Sequence, residues 1–233
     1  MTTAQYFERR SEVETYFDRT AVAAWTRLTS DAPVGRIRAT VRAGRDEMRR
    51  TLLSWLPQDL RGARLLDAGC GTGALSIDVA RRGADVVAVD LSPSLVQIAS
   101  GRLPVDISPG AIRFVAGDML NPTLGKFDFV VAMDSVIHYR PTDVPRIFAG
   151  LATRTLQSLL VTFAPRTPAL ALMHAVGRAF PRANRAPAIE PITEQYLKRL
   201  VTEHPDLEEW SFGRSRRVAS GFYKSHALEL LRR

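Results

Sequence analysis

The stretch from Arg64 to Gly73 constrains this 233-residue chain more than any other. The run Arg64-Leu-Leu-Asp67 ends in Ala68-Gly69-Cys70-Gly71-Thr72-Gly73 and passes straight into a helical pattern. Glycines are needed where a backbone turns sharply and approaches a ligand that a Cβ would obstruct, so a strand, a glycine loop and a helix in this order open a ligand-binding sheet. The rhythm continues downstream. Short β-rich runs recur at 85–90, 112–116, 127–133 and 158–163, with helical stretches at 76–82, 95–102 and 142–151 between them. Strands alternating with helices predict an α/β fold, a doubly wound and mostly parallel sheet. A helix near 193–202 and two extended runs, 207–212 and 217–223, separated around Gly213, complete a predicted seven-stranded sheet with an antiparallel edge hairpin.

Ahead of the glycine loop, Val13, Tyr16, Phe17, Ala21, Trp25 and Leu28 fall at spacings of three and four, which predicts one amphipathic helix over 12–28. Pro33 and Gly35 interrupt it. A second helix is predicted over 37–55, with Val41, Met48, Leu52 and Leu56 on its apolar side, Arg42, Arg45, Arg49 and Arg50 mostly opposite, and Pro57 as its stop. Residues 1–57 therefore read as a helical cap or arm over the site and 58–233 as the catalytic domain, one domain with accessory helices being what this length accommodates. Leu170, Met173, Val176 and Phe180 share one side of a helix inserted near 167–181.

Composition removes several classes. Cys70 is the single cysteine, so an internal disulfide and a cysteine-rich zinc site are excluded, and the histidines at 138, 174, 204 and 226 lack metal-ligand spacing. No protein-bound metal is expected. The amino-terminal residues lack the apolar stretch of a secretory signal, and no apolar run reaches the roughly 18 residues of a spanning helix, so a cytoplasmic protein is expected. A net charge of +8 predicts attraction to an anion, whether nucleic acid, a lipid surface or an acidic small molecule. A solvated basic surface is the plainer reading.

The spacing of the loop, G-x-G-x-G over Gly69, Gly71 and Gly73, and the acid two residues ahead of it narrow the ligand. A carboxylate at Asp67 repels a pyrophosphate but suits the ammonium end of a methionyl group, which favours S-adenosylmethionine over a dinucleotide. Asp90, followed by Leu91, closes the second strand where an acid accepts from ribose hydroxyls. Asp118 follows the third strand and suits the adenine amine, with Met119 over the ring, while Met133 ends the fourth. A turn-forming acid is the bland reading of Asp118 alone. Three acids at three strand ends lie where open sheets bind ligands. The chain is thus expected to be an S-adenosylmethionine-dependent methyltransferase of the Rossmann-like class I.

Methyl transfer from a sulfonium is an in-line displacement that needs positioning and dryness more than acid–base groups. The segment Asp134-Ser-Val-Ile137-His138-Tyr139 after the fourth strand should lie beside the methyl. It lacks the Asn-Pro-Pro-Tyr type of sequence with which many nucleic-acid amino methyltransferases hold a nitrogen, so no nucleic-acid partner is expected. His138 reads as a polar group in the cleft or as a histidine that caps the strand. Tyr16 reads as a cover over the cofactor mouth or as a core aromatic on an apolar stripe.

Several segments resemble one family, the magnesium-protoporphyrin IX O-methyltransferases of chlorophyll and bacteriochlorophyll synthesis, and its purple-bacterial branch most. They are Tyr16-Phe17 leading to Trp25, Val41-Arg42-Ala-Gly44-Arg45, the loop 67–73, Asp134 through Ile137-His138-Tyr139, Phe163-Ala-Pro-Arg-Thr-Pro168 and Phe222-Tyr223-Lys-Ser225. The resemblance implies esterification of one propionate of a magnesium porphyrin, with S-adenosylhomocysteine as co-product and the magnesium belonging to the substrate. It implies that His138 orients the propionate, that Tyr16 closes over the site, and that Ile137, Tyr139, Leu170 and Met173 meet the macrocycle. Arg45 or Arg166 would pair with the carboxylate that is not methylated, a surface ion pair being the plainer reading of either. Contact with a magnesium chelatase subunit and peripheral association with a membrane are further implied partners. One departure is Leu28-Thr29, where plant-type relatives carry an Ile-Tyr pair, so a role for that tyrosine does not transfer. From residues alone, three other readings stay open: an RNA methyltransferase, a non-catalytic cofactor-binding accessory protein of the porphyrin pathway, and a nicotinamide dehydrogenase, which Asp67 opposes.

Overall fold

The computed structural model describes residues 3–30, 32–166 and 189–233. Three helices come first: α1 (Thr3–Thr15), α2 (Val22–Leu28) and α3 (Arg36–Trp55). Strands and helices then alternate as β1 (Arg64–Ala68), α4 (Ala74–Ala80), β2 (Asp85–Asp90), α5 (Pro93–Gly101), β3 (Ala111–Ala116), β4 (Phe127–Ala132), α6 (Val144–Ala152) and β5 (Thr155–Phe163). Next come α7 (Glu194–Thr202) and the hairpin of β6 (Trp210–Ser220) and β7 (Tyr223–Arg232). The sheet order is β3-β2-β1-β4-β5-β7-β6. β1 to β5 are mutually parallel, and β7 runs antiparallel between β5 and β6.

The inner strands are apolar on both faces because helices cover both. Successive side chains point to opposite faces. Leu66, Val87, Val130 and Leu159 enter a core with Ile147 and Phe148 of α6 and Leu197 of α7. Their chain neighbours Leu65, Val86, Val131 and Leu160 enter a second core with Met48 and Leu52 of α3 and Val79 of α4. All eight strand residues are at most 1% exposed. Full burial of a Leu or Val contributes about 1.5–3 kcal/mol, so these paired layers hold the parallel strands together.

Two predicted elements differ from what forms. The pattern over 12–28 is not one helix: α1 starts at Thr3, the chain widens into a π turn at Tyr16–Thr20, and α2 follows. The cause is long-range. Asp18 Oδ1 accepts from Ser92 Oγ at 3.0 Å and from the Ser94 amide at 2.9 Å, drawing the turn onto the start of α5, and Arg102 donates to the Thr29 and Thr26 carbonyls at 3.1 and 2.9 Å. The hairpin also turns at Gly221-Phe222 and not around Gly213, and its last strand runs on through Arg232. Gly213 lies inside β6 at a register irregularity between Phe212 and Ser215. A Cβ there would come within 3.0 Å of the Glu229 carboxyl carbon, so the missing side chain makes room for the Arg214–Glu229 pair, Nε to Oε2 2.7 Å. The inserted helix near 167–181, with Leu170 and Met173, lies outside the described residues.

Candidate active site

Because β1 to β4 run parallel, their carboxyl ends share one edge, and three adjoining clefts open along it. The first, about 700 Å³, is lined by Gly69, Gly71, Asp90, Leu91, Asp118 and Met119 from the strand ends, and by Phe17 and Trp25 from the amino-terminal segment. The second reaches Asp67, Cys70 and Thr72. The third, about 1230 Å³, lies on the other side and is lined largely by apolar groups, among them Tyr16, Leu28, Val41, Ile137, Phe222 and Tyr223. Phe17, Trp25, Arg45, Asp134 and His138 line both the first and the third, and so form the partition between them.

The glycine loop has the shape its sequence predicts. Gly69 and Gly71 have φ of +90° and +54°, a region costly for residues with a Cβ. A Cβ on Gly69 would collide with the Ser135 side chain, and one on Gly71 would stand 3.2 Å from Trp25 Nε1. Gly73, at φ +82°, opens α4 against the Phe114 ring and lines none of the three clefts. Beneath the loop Asp67 is 2% exposed and accepts from Ser76 Oγ at 2.6 Å. Burial pushes its carboxyl up to about 7; the Ser76 hydrogen bond opposes this, and the charge of Asp90 adds to it. Asp90 accepts from the amides of Gly71 (2.8 Å) and Ser92 (2.9 Å), tying the end of β2 to the loop.

On the far side of the first cleft, Asp118 accepts from Tyr6 Oη at 3.0 Å, Arg10 Nη1 at 3.1 Å and the Leu120 amide at 2.8 Å, anchoring α1. Met119 is buried in the cleft wall, and Met133 lines both the first and the second cleft. Tyr139 lies here too, stacked on Tyr6 with ring centres 5.5 Å apart. The sequence reading put it on the porphyrin side; the structure places it against the first cleft. Burial pushes both phenols above their ordinary range, so they stay neutral.

The partition centres on Asp134, whose φ of +54° is the one positive value of a non-glycine residue among those described. Its carboxylate accepts from Arg45 Nη1 (2.6 Å), Tyr223 Oη (3.0 Å), Ser225 Oγ (3.1 Å) and Thr162 Oγ1 (3.2 Å). Arg45 in turn lies over the Trp25 ring, 4.5 Å from its centre. Arg45, expected to serve a ligand carboxylate, lines the third cleft and is paired with Asp134. Nothing in the local sequence marks Asp134 as a hub, since Arg45, Thr162 and Tyr223 come from elements remote along the chain. Beside it His138, 8% exposed, has its ring centre 5.4 Å from that of Phe17, and its carbonyl accepts from Arg9 Nε at 2.6 Å.

Tyr16 lines the third cleft and not the first, which Phe17 and Trp25 from the same apolar stripe line. Arg166 is exposed, lines none of the clefts, and is fixed by its amide to the Ile192 carbonyl at 3.1 Å. Sequence reasoning missed two cations that do line the third cleft, Arg38 and Lys224. Their helix face and hairpin position were not legible without the α3 packing. No group of three or more His, Cys, Asp or Glu that would hold a metal occurs among the described residues, and no described helix is long and apolar enough to cross a membrane.

An order of β3-β2-β1-β4-β5-β7-β6, with a glycine loop after β1 and acids after β2 and β3, defines a class I methyltransferase, and residues 65–157 match the family described as Methyltransferase domain. Residues 132–232 match the family described as Magnesium-protoporphyrin IX methyltransferase C-terminus, and the magnesium-protoporphyrin O-methyltransferase of Rhodobacter capsulatus is 48% identical over 227 residues, 97% of this chain and 98% of that one. The chain belongs to the magnesium-protoporphyrin O-methyltransferase family. The Synechocystis enzyme of that name is 28% identical over 94% of this chain and 95% of its own. A crystal structure of magnesium protoporphyrin IX methyltransferase from Synechocystis PCC 6803 with bound SAH superposes with a TM-score of 0.84 at 27% identity, covering 96% of this chain and 100% of that one.

Proposed function

We infer that the chain transfers a methyl group from S-adenosylmethionine to one propionate carboxylate of magnesium protoporphyrin IX, leaving the monomethyl ester and S-adenosylhomocysteine. The carrying observation is the 48% identity to the Rhodobacter capsulatus enzyme across nearly the whole of both chains. The third cleft supports the acceptor: its lining is largely apolar, with aromatic rings at Tyr16, Phe17, Trp25, Phe222 and Tyr223, which suits a large flat apolar ring.

The first and second clefts fit the cofactor on two counts. Gly69 and Gly71 leave a hollow that a Cβ would fill, and Ser135 Oγ is buried beside it with no hydrogen-bond partner among the described residues. Asp67 would hold the methionyl end, Asp90 and Leu91 the ribose, and Asp118 and Met119 the adenine. When bound, S-adenosylmethionine supplies a methyl on a sulfonium that a carboxylate oxygen displaces. A propionate is ionised at neutral pH, so no residue has to remove a proton. His138 stands in the partition where the two ligands meet, and its task is to orient the attacking oxygen. Phe17 and Trp25 keep water from the methyl, with residues 1–57 acting as the cap. Tyr16 and Ile137 contact the macrocycle from the acceptor side.

The same reading takes the protein as cytoplasmic, with its +8 charge meeting a magnesium chelatase subunit or an anionic membrane surface. The test of substrate is incubation with methyl-labelled S-adenosylmethionine and magnesium protoporphyrin, with metal-free porphyrin and RNA alongside. Label in a base-labile ester of the magnesium porphyrin is the expected result. Label in RNA, or in neither porphyrin, contradicts it.

A further inference from the structure

Among the described residues, five cationic side chains, histidine aside, line the three clefts: Arg38, Arg42, Arg45, Arg49 and Lys224. Three are committed within the protein. Arg42 donates to the carbonyls of Leu28, Arg27 and Ala32 at 2.8–2.9 Å, Arg45 to Asp134, and Arg49 pairs with Asp46 and Asp78 at 3.1 and 3.0 Å. Arg38 and Lys224 have no acidic or carbonyl partner among the described residues, and both lie in the acceptor cleft. Their proximity follows from the fold. Arg38, Val41 and Arg45 share one face of α3 at spacings of three and four. The start of β7 is pressed against the neighbouring face, that of Thr40 and Gly44, since a Cβ on Gly44 would stand 2.8 Å from Tyr223 Cγ and one on Gly221 would meet the side chain of Thr40. Lys224 follows Tyr223 directly. An apolar cleft with two cations that have no acidic or carbonyl partner among the described residues, and with His138 at its partition, is complementary to a flat apolar molecule bearing two anions, one reacting and one held.

We propose that Arg38 and Lys224 form the subsite for the substrate's second carboxylate, the propionate that is not methylated, in the place where sequence reasoning had put Arg45 or Arg166. The inference rests on the porphyrin reading above. Protoporphyrin carries its propionates on neighbouring pyrrole rings, so anchoring one fixes the edge of the ring that is presented to His138. The subsite therefore sets orientation as well as affinity, and the product monoester keeps the carboxylate that the subsite holds.

The test compares binding of magnesium protoporphyrin monomethyl ester and dimethyl ester, followed by porphyrin fluorescence with S-adenosylhomocysteine present. Wild-type protein is expected to bind the monoester about tenfold more tightly, the size expected of two partly exposed ion pairs. In the Arg38→Gln, Lys224→Gln double variant the two esters should bind alike, while affinity for S-adenosylhomocysteine holds. Raising the ionic strength should weaken wild-type binding of the monoester and leave the diester unmoved, a readout that needs no variant. An unchanged ester ratio in the variant, or an equal loss for both esters, overturns the subsite. Failure of the wild type to bind either ester sinks the porphyrin reading itself, which separates the two failures.

Discussion

At position 67 a carboxylate is held beneath the glycine loop by the Ser76 hydroxyl, in a setting that resists charge. Its folded-state value of about 7 lies above the ordinary aspartate value of about 3.9, so between the two the native state holds a proton that the unfolded state releases. Stability from this group is thus full below about pH 4 and is lost as pH rises through 7. Binding runs the other way, because an ammonium group needs the ionised form. Affinity for S-adenosylmethionine should rise between pH 6 and 8, by up to about tenfold per unit below the carboxyl's pKa, with proton release that calorimetry in two buffers detects. Asp67→Asn should flatten the profile, and a flat wild-type profile contradicts the assignment. At Asp134 the effect is on stability. Asp134→Asn keeps the side chain's shape but strands Arg45 beside Trp25, which should cost about 3 kcal/mol and lower Tm by roughly 6–12 °C in a thermal melt. The acids at strand ends were legible in the sequence because a turn-forming acid after an apolar run recurs three times. The commitment of Arg45 was not, since its partner lies in a turn after β4 that only the folded sheet brings near.

Among the elements, α3 packs against β6 and β7, which brings Val41, Arg45 and Tyr223 together at the third cleft. Gly44→Ala gains about 1 kcal/mol of helix propensity but places a methyl against the Tyr223 ring, an overpacking that typically costs about 1–3 kcal/mol. The net expectation is a lower Tm and a raised KM for the porphyrin, with cofactor affinity little changed; a variant that gains stability contradicts the packing described. The five parallel strands were readable to within a few residues because each is a short apolar run between turn formers. The hairpin was misread for a physical reason: β6 is an exposed edge strand of mixed polarity, and its interior glycine accommodates Glu229 while looking like a turn. The amino-terminal helix was misread because Asp18 is drawn to Ser92 and Ser94, a tie between distant segments that no local periodicity records.

Across the whole molecule, the amino-terminal helices, proposed above as the cap, are tied to α5 and to the loops at the strand ends by polar bonds at several separate points. Asp18 and Arg102 fix the π turn and α2 to α5, Tyr6 and Arg10 fix α1 to Asp118, and Arg9 reaches the His138 carbonyl. Asp18→Ala removes one of these ties, and stopped-flow release of S-adenosylhomocysteine should then quicken about fivefold, as the loss of about 1 kcal/mol of hydrogen bonding implies. Unchanged release places the cover's grip elsewhere. In the proposed function, cofactor and porphyrin occupy separate clefts and meet at the partition that carries His138. Single-turnover methyl transfer by His138→Ala, set beside its dissociation constants for S-adenosylhomocysteine and magnesium protoporphyrin, tests this most directly. The rate should fall about 100-fold, the cost of misplacing a reacting group, with both constants within about threefold of wild type. A wild-type rate, or a loss accounted for by weaker binding of either ligand, contradicts it.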